Sequence, residues 1–146
     1  MSKDYPKPSV SVDLVIVRPV ADGSEALLIR RGHDPFEGCW ALPGGFMDID
    51  ETLEAAACRE LLEETSVRVS PDQLVQVGAF SRIDRDPRGR VISVAFLAQV
   101  PSETVARAGD DARETAWHHL NRLPPLAFDH AEIVAAAWAV ISQPSV

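Results

Sequence analysis

Cysteine is scarce: Cys39 and Cys58 are the two in 146 residues, too few for a disulfide framework or a thiolate zinc site, and neither belongs to a CxxC pair. Both read as reduced packing residues. Long hydrophobic runs are absent too. No stretch approaches the roughly 20 apolar residues that span a bilayer, and the opening Met1-Ser2-Lys3-Asp4-Tyr5-Pro6 lacks the apolar core of a signal peptide. The expected setting is the cytoplasm, with no membrane partner. Positive charge is in short supply: 14 Lys and Arg face 22 Asp and Glu, for a formal charge of −8. A polyanion would be repelled rather than bound by counterion release, so no nucleic-acid partner is expected. An acidic chain can still bind phosphates through cations.

What is present is ordinary globular material: 46% hydrophobic and 25% charged residues, at a length suited to one domain with a packed core. Residues 1–8, with Pro6 and Pro8, read as a flexible lead-in, and 9–146 as a single domain. Residues 9–17 alternate and then become a β-branched run, as a strand entering a core does, and 25–31 read as its hairpin partner across the turn 21–24. A long loop rich in Gly, Pro and Asp covers 32–50. A helix follows over 52–65, with Thr52 or Asp50 as N-cap and no Gly or Pro inside. Further strands are expected over 67–69, 74–80, 91–100 and 116–119, and a closing helix over 128–142. Strands outnumber helices and interleave with them, so the expected class is α/β, a mixed sheet covered by helices.

The 52–65 helix carries the chemistry. Glu60, Glu63 and Glu64 stand at i, i+3 and i+4 and project from one side. Like charges at that spacing destabilise a helix, and anions near its C-terminal end oppose the macrodipole. The plain reading is a solvated acidic face. Against it, Leu53, Ala56 and Ala57 share the glutamates' sector while Ala55, Cys58, Leu61 and Leu62 fill the rest, so the helix is apolar nearly all round. Buried carboxylates need protons or a cation, and hard oxygen ligands point to Mg²⁺ or Mn²⁺. Upstream, Leu42-Pro43-Gly44-Gly45 can turn the chain and bring backbone close to a ligand, although a Gly-Gly pair alone is more often just a turn.

In register, Gly45, Glu51, Arg59, Glu60, Leu61, Glu63, Glu64 and Val67 resemble the signature of the Nudix hydrolase family: Gly, five residues, Glu, seven residues, Arg-Glu-apolar, one residue, Glu-Glu, one residue, Gly, apolar. The departure is Ser66, where the family has Gly. The resemblance implies an α/β/α sandwich around a mixed central sheet. It implies a metal site at Glu60, Glu63 and Glu64 beside Gly45, Arg59 orienting the acidic cluster, and Glu51 as accessory ligand or structural partner. The family glycine eases the helix exit through a left-handed conformation, so Ser66 there should cost on the order of 1 kcal/mol. The implied reaction is in-line attack of water on a diphosphate neutralised by one or two divalent ions. The general base stays open between a cluster glutamate and the loop carboxylates Glu103, Asp110, Asp111 and Glu114.

Residues 85–94 and 126–130 are similar to segments of bacterial ADP-ribose pyrophosphatases and of the Nudix-like domains of ADP-ribose-responsive regulators. Arg82, Arg85, Arg88 and Arg90 concentrate positive charge in an acidic chain, and arginine forks suit phosphate. An exposed hairpin tip is the competing reading. Trp40, Phe46 and Phe128 are candidates to stack on a base, with core packing as the alternative; Trp117 and Trp138 read as packing. His118 and His119 point to opposite sides of a strand, and His33 and His130 read as surface residues. The expected substrate is a small nucleotide, foremost ADP-ribose cleaved to AMP and ribose 5-phosphate. The alternatives are pyrophosphohydrolysis of an altered nucleoside triphosphate, non-catalytic sensing of ADP-ribose, or an acidic helix that serves only as a structural metal site. Family resemblance also raises a homodimer.

Overall fold

The structure, a computed structural model, describes residues 5–109 and 111–142. Its elements in chain order are β1 (Ser9–Val20), β2 (Gly23–Arg31), β3 (Trp40–Ala41), β4 (Gly44–Phe46), α1 (Leu53–Thr65), a 3-10 turn (Pro71–Gln73), β5 (Val75–Phe80), β6 (Val91–Gln99), β7 (Ala112–His119) and α2 (His130–Ile141). The strands form one seven-stranded sheet ordered β3-β2-β1-β6-β5, with β4 on β1 and β7 on β2. β1 and β6 are parallel, with Ser9 opposite Val91 through Val17 opposite Gln99. The other pairings are antiparallel, so the sheet is mixed.

The period-two alternation of β1 builds the layers. Val12, Leu14 and Ile16 face one side, where they pack with Leu27, Phe96, Ala56, Ala57 and Leu61 under α1. Val15 and Val17 face the other, with Leu28, Ala95, Leu97, Ile133, Val134 and Ala137 under α2. The result is the expected α/β/α sandwich. Asp13 lies on the α2 side of the same strand and is buried there.

Three expectations are corrected. Residues 67–69 form no strand, because Val67 drops into the α1-side core while the backbone there joins no neighbour in the sheet. The 32–50 loop contains the two short strands β3 and β4, whose pairing with β2 and β1 is a tertiary event. β7 begins at Ala112, earlier than expected, because its polar first half pairs along β2. Tyr5–Pro8 is exposed and carries no regular structure. Among the described residues no helix is long and apolar enough to cross a membrane.

Candidate active site

Helix α1 starts where expected: the Thr52 side chain accepts from the Ala55 amide and caps it. It ends at Ser66 with φ 64°, the left-handed exit that the glycine of the family signature would make easily. Along it the three glutamates occupy three depths. Glu64 is buried and accepts from the Gly44 amide at 2.7 Å; Glu60 is half-buried; Glu63 is exposed. Arg59 gathers the outer carboxylates. It reaches Glu51 at 2.5 Å, Glu60 at 2.9 Å and Glu63 at 3.3 Å, and donates to the Phe46 carbonyl at 3.0 Å.

Burial pushes the Glu64 carboxyl up to about 8; the Gly44 amide opposes this, and the negative charges of Glu60 and Asp13 add to the rise. Burial also raises Glu60, against the pull of Arg59. Two neighbouring carboxyls that resist ionisation are what a divalent cation would relieve. Gly45 leaves the approach open: a side chain there would place its Cβ 2.5 Å from the Glu60 carboxyl carbon. The donor set is all hard oxygen and fits Mg²⁺ or Mn²⁺. The shared, confined cluster expected from sequence is corrected in one respect. Among the described residues no three acidic, His or Cys side chains converge at metal distance. Arg59 holds Glu60 and Glu63, while Gly44 holds Glu64.

Beside this acidic face runs a groove of about 360 Å³, lined among others by Arg31, Gly44, Gly45, Arg59, Glu60 and Glu64. It joins an aromatic slot through the shared residues Ile29, Arg31, Gly44, Gly45 and Phe46. In the slot the Arg88 guanidinium lies 4.8 Å from the Phe46 ring centre and 5.6 Å from that of Phe128, tethered to Asp86 at 2.8 Å. Phe36 backs Phe128 at 4.7 Å. Both Phe36 and Phe128 hold left-handed backbones, φ 60° and 54°, a strained conformation for aromatic residues that clusters at functional sites. Arg31 stands where slot and groove meet, 5.0 Å from the Phe128 ring, with its Nε on the Pro35 carbonyl. Among the described residues it forms no ion pair, and burial together with the nearby Arg88 lowers its proton affinity. A half-buried guanidinium in that position suits a bound anion.

The structure thus brings Gly45, Phe46, Arg59, Glu60, Glu64, Arg88 and Phe128 around two joined cavities, whereas Glu63 lies outside their lining, exposed and paired with Arg59. Arg85 lines the slot wall but is buried, with its fork on Asp129 at 2.6 and 2.9 Å. Arg82 lies apart, paired with Asp84 and Glu132, and Arg90 donates to the carbonyls of Ser81 and Arg82. Trp40 packs edge-on against His118 instead of reaching the slot. Trp117 lies half-buried under Arg18, as packing requires, whereas Trp138 is 45% exposed because it sits on the outer side of α2. Cys39 is exposed rather than packed. His33 is exposed beside Asp111, but His130 is buried, a correction that follows from its pairing with Asp13. Of the loop carboxylates, Asp111 lines the groove, Glu114 pairs with Arg30 and Glu103 accepts from Ser102. Asp110 lies outside the described residues.

Sequence reasoning missed Arg31, Asp13, Asp129 and His130. The available signal was Asp13 itself, one carboxylate inside the apolar run 10–17, a placement that demands buried partners.

The NUDIX domain model matches residues 7–137. An ADP-ribose pyrophosphatase of Methanocaldococcus jannaschii is 45% identical over 130 residues, 89% of this chain and 73% of that protein. An ADPR-responsive transcriptional repressor of Acinetobacter baylyi is 36% identical over 93% of this chain and 55% of its own length. Among solved structures, the NUDIX domain of Shewanella oneidensis NrtR complexed with ADP ribose superposes with TM-score 0.87 at 29% identity, covering 94% of this chain and 91% of that one. A MutT/nudix family protein from Enterococcus faecalis gives 0.91 at 38%, covering 97% of this chain and 64% of that one. The chain therefore spans just over half of the repressor and under two thirds of the Enterococcus protein.

Proposed function

The chain belongs to the Nudix family, and on that premise we propose that it is a divalent-metal-dependent hydrolase that splits the diphosphate of a nucleoside diphosphate derivative, with ADP-ribose as substrate. The observation that carries this reading is the joined pair of cavities: an aromatic slot between Phe46 and Phe128 opens through Arg31 onto a groove lined by Glu60 and Glu64. A flat base, a diphosphate and a second sugar need that sequence of surfaces: stacking, then cationic, then acidic.

Glu60, Glu63 and Glu64, beside Gly45, would hold the cation, which when bound neutralises the diphosphate and acidifies the attacking water. The chain's own groups do the rest. Phe46 and Phe128 take the base once the Arg88 guanidinium, which lies between them and leaves about 40 Å³ of free space, swings out on its Asp86 tether. Arg31 holds the diphosphate at the junction. Arg59 keeps Glu51, Glu60 and Glu63 oriented without leaving their charges unopposed. Asp111, at the groove, takes the proton of the attacking water.

Incubation with Mg²⁺ and a panel of ADP-ribose, NADH, dinucleoside polyphosphates and modified nucleoside triphosphates, with products resolved by chromatography, tests the reading. AMP plus ribose 5-phosphate from ADP-ribose is expected. Pyrophosphate from a triphosphate would move the function to clearing altered nucleotides. A second reading, an ADP-ribose sensor, is favoured by the likeness to the Acinetobacter repressor and the Shewanella domain, and predicts tight binding with no turnover.

A further inference from the structure

Four polar backbone atoms of the turn between β3 and β4 are held by other parts of the fold. The Trp40 carbonyl accepts from Ala127, the Pro43 carbonyl from Leu14 on β1, and the Gly44 amide donates to Glu64 on α1. The Leu42 amide, which is buried, donates to His130 Nδ1 at 3.0 Å. Gly44 fits so tightly over β1 that an added Cβ would collide with the Val12 carbonyl and lie 2.7 Å from Asp13 Oδ1. The turn can therefore settle in one place while all four tethers hold.

We propose that His130 is a positioning residue for hydrolysis: by accepting the Leu42 amide proton it fixes the 42–45 turn that seats Gly44 on Glu64 and Gly45 on Glu60. The ring is itself aimed. A nitrogen that accepts carries no proton, so the imidazole proton sits on Nε2, which faces Asp13 Oδ1 at 3.3 Å. Asp13 is locked in turn by the Ser93 hydroxyl and by the Arg85 guanidinium at 3.9 Å. Two residues upstream, Phe128 forms the slot wall, and between them Asp129 grips Arg85. The segment 128–130 thus ties base recognition to the placement of the acidic face.

This rests on the hydrolase reading, and its test keeps the two apart. Asparagine can offer its Oδ1 where His130 Nδ1 stands, whereas glutamine reaches Asp13 but leaves Leu42 without an acceptor. His130→Asn should keep kcat for ADP-ribose within about threefold, and His130→Gln should lose roughly 10–100-fold in kcat with KM little changed, as expected of displaced catalytic groups. In the metal-free, substrate-free protein, the Leu42 amide should be protected from hydrogen exchange in the wild type and in His130→Asn, and exposed in His130→Gln. Nitrogen-15 spectra of the unmutated ring should show Nδ1 without a proton, which decides the tether even where a variant fails to fold. Equal kcat in the two variants, or a protonated Nδ1, overturns the positioning role. A protected Leu42 amide in a wild type that turns over no ADP-ribose overturns the reading as an ADP-ribose hydrolase instead.

Discussion

Glu64 is where the cost of the site can be measured as stability. Its carboxyl is buried and pushed from an ordinary 4.5 up to about 8 in the metal-free fold. The sign of the linkage is opposite to that of a salt-bridged acid: between those two values the unfolded chain ionises while the folded one keeps its proton, so stability falls as pH rises. Below 4.5 both states are protonated and nothing is lost; above 8 the full difference applies. At 1.36 kcal/mol per tenfold change in proton affinity, the loss reaches about 2–5 kcal/mol once relaxation of the buried site is allowed for. Glu64→Gln retains an oxygen for the Gly44 amide and has no charge to bury. In chelator, its unfolding free energy from urea titration should match the wild type at pH 4.5 and exceed it by about 2–5 kcal/mol at pH 8.5. Adding Mg²⁺ at pH 8.5 should stabilise the wild type and leave the variant unchanged. A pH-independent difference, or a variant less stable than the wild type at pH 8.5, would refute the reasoning that Glu64 is a strained, cation-seeking carboxyl.

Ser66→Gly should stabilise the protein by about 0.5–1 kcal/mol in the same titration, because it removes a Cβ from a φ of 64° and leaves the ligands alone. The Arg59 hydrogen bond holds Glu51 down at about 2, so its contribution is present above pH 4.5 and lost as pH falls towards 2; Glu51→Gln should flatten that acid limb of a stability-against-pH curve. Phe128→Ala should raise KM for ADP-ribose roughly tenfold in steady-state assays with little change in kcat, since it removes one wall of the slot. Asp111→Asn should lower kcat by about 10²-fold, the low end for losing a positioned base, with thermal stability unchanged because the side chain is exposed.

The layers of the fold were legible because alternation is local: Val12, Leu14 and Ile16 against Val15 and Val17 already separate two faces. The start and stop of α1 were legible for the same reason, in Thr52 and Ser66. The strands of residues 40–46 were not, since Gly- and Pro-rich chain becomes strand there only by borrowing partners from β1 and β2. In the candidate site, the acidic face could be read from spacing, whereas Phe46 and Phe128 stood beside Trp40 as candidates that residue type alone does not separate from core packing. Which arginine reaches the slot could not be read: Arg85 and Arg88 sit in one hairpin, yet one is clamped by Asp129 and the other lies between Phe46 and Phe128. The Asp13–His130 contact joins opposite ends of the chain, and His130 in isolation has the context of a surface loop.

The most direct test of metal-dependent hydrolysis at the acidic face is turnover of ADP-ribose by the wild type and by Glu63→Gln, with ADP-ribose binding measured calorimetrically on both. Glu63 is exposed beside Arg59, so its replacement should leave the fold intact. The account predicts that the wild type forms AMP with Mg²⁺ and stops in chelator, and that Glu63→Gln binds ADP-ribose but loses most of its turnover. Turnover that survives in Glu63→Gln, or in chelator, would contradict it.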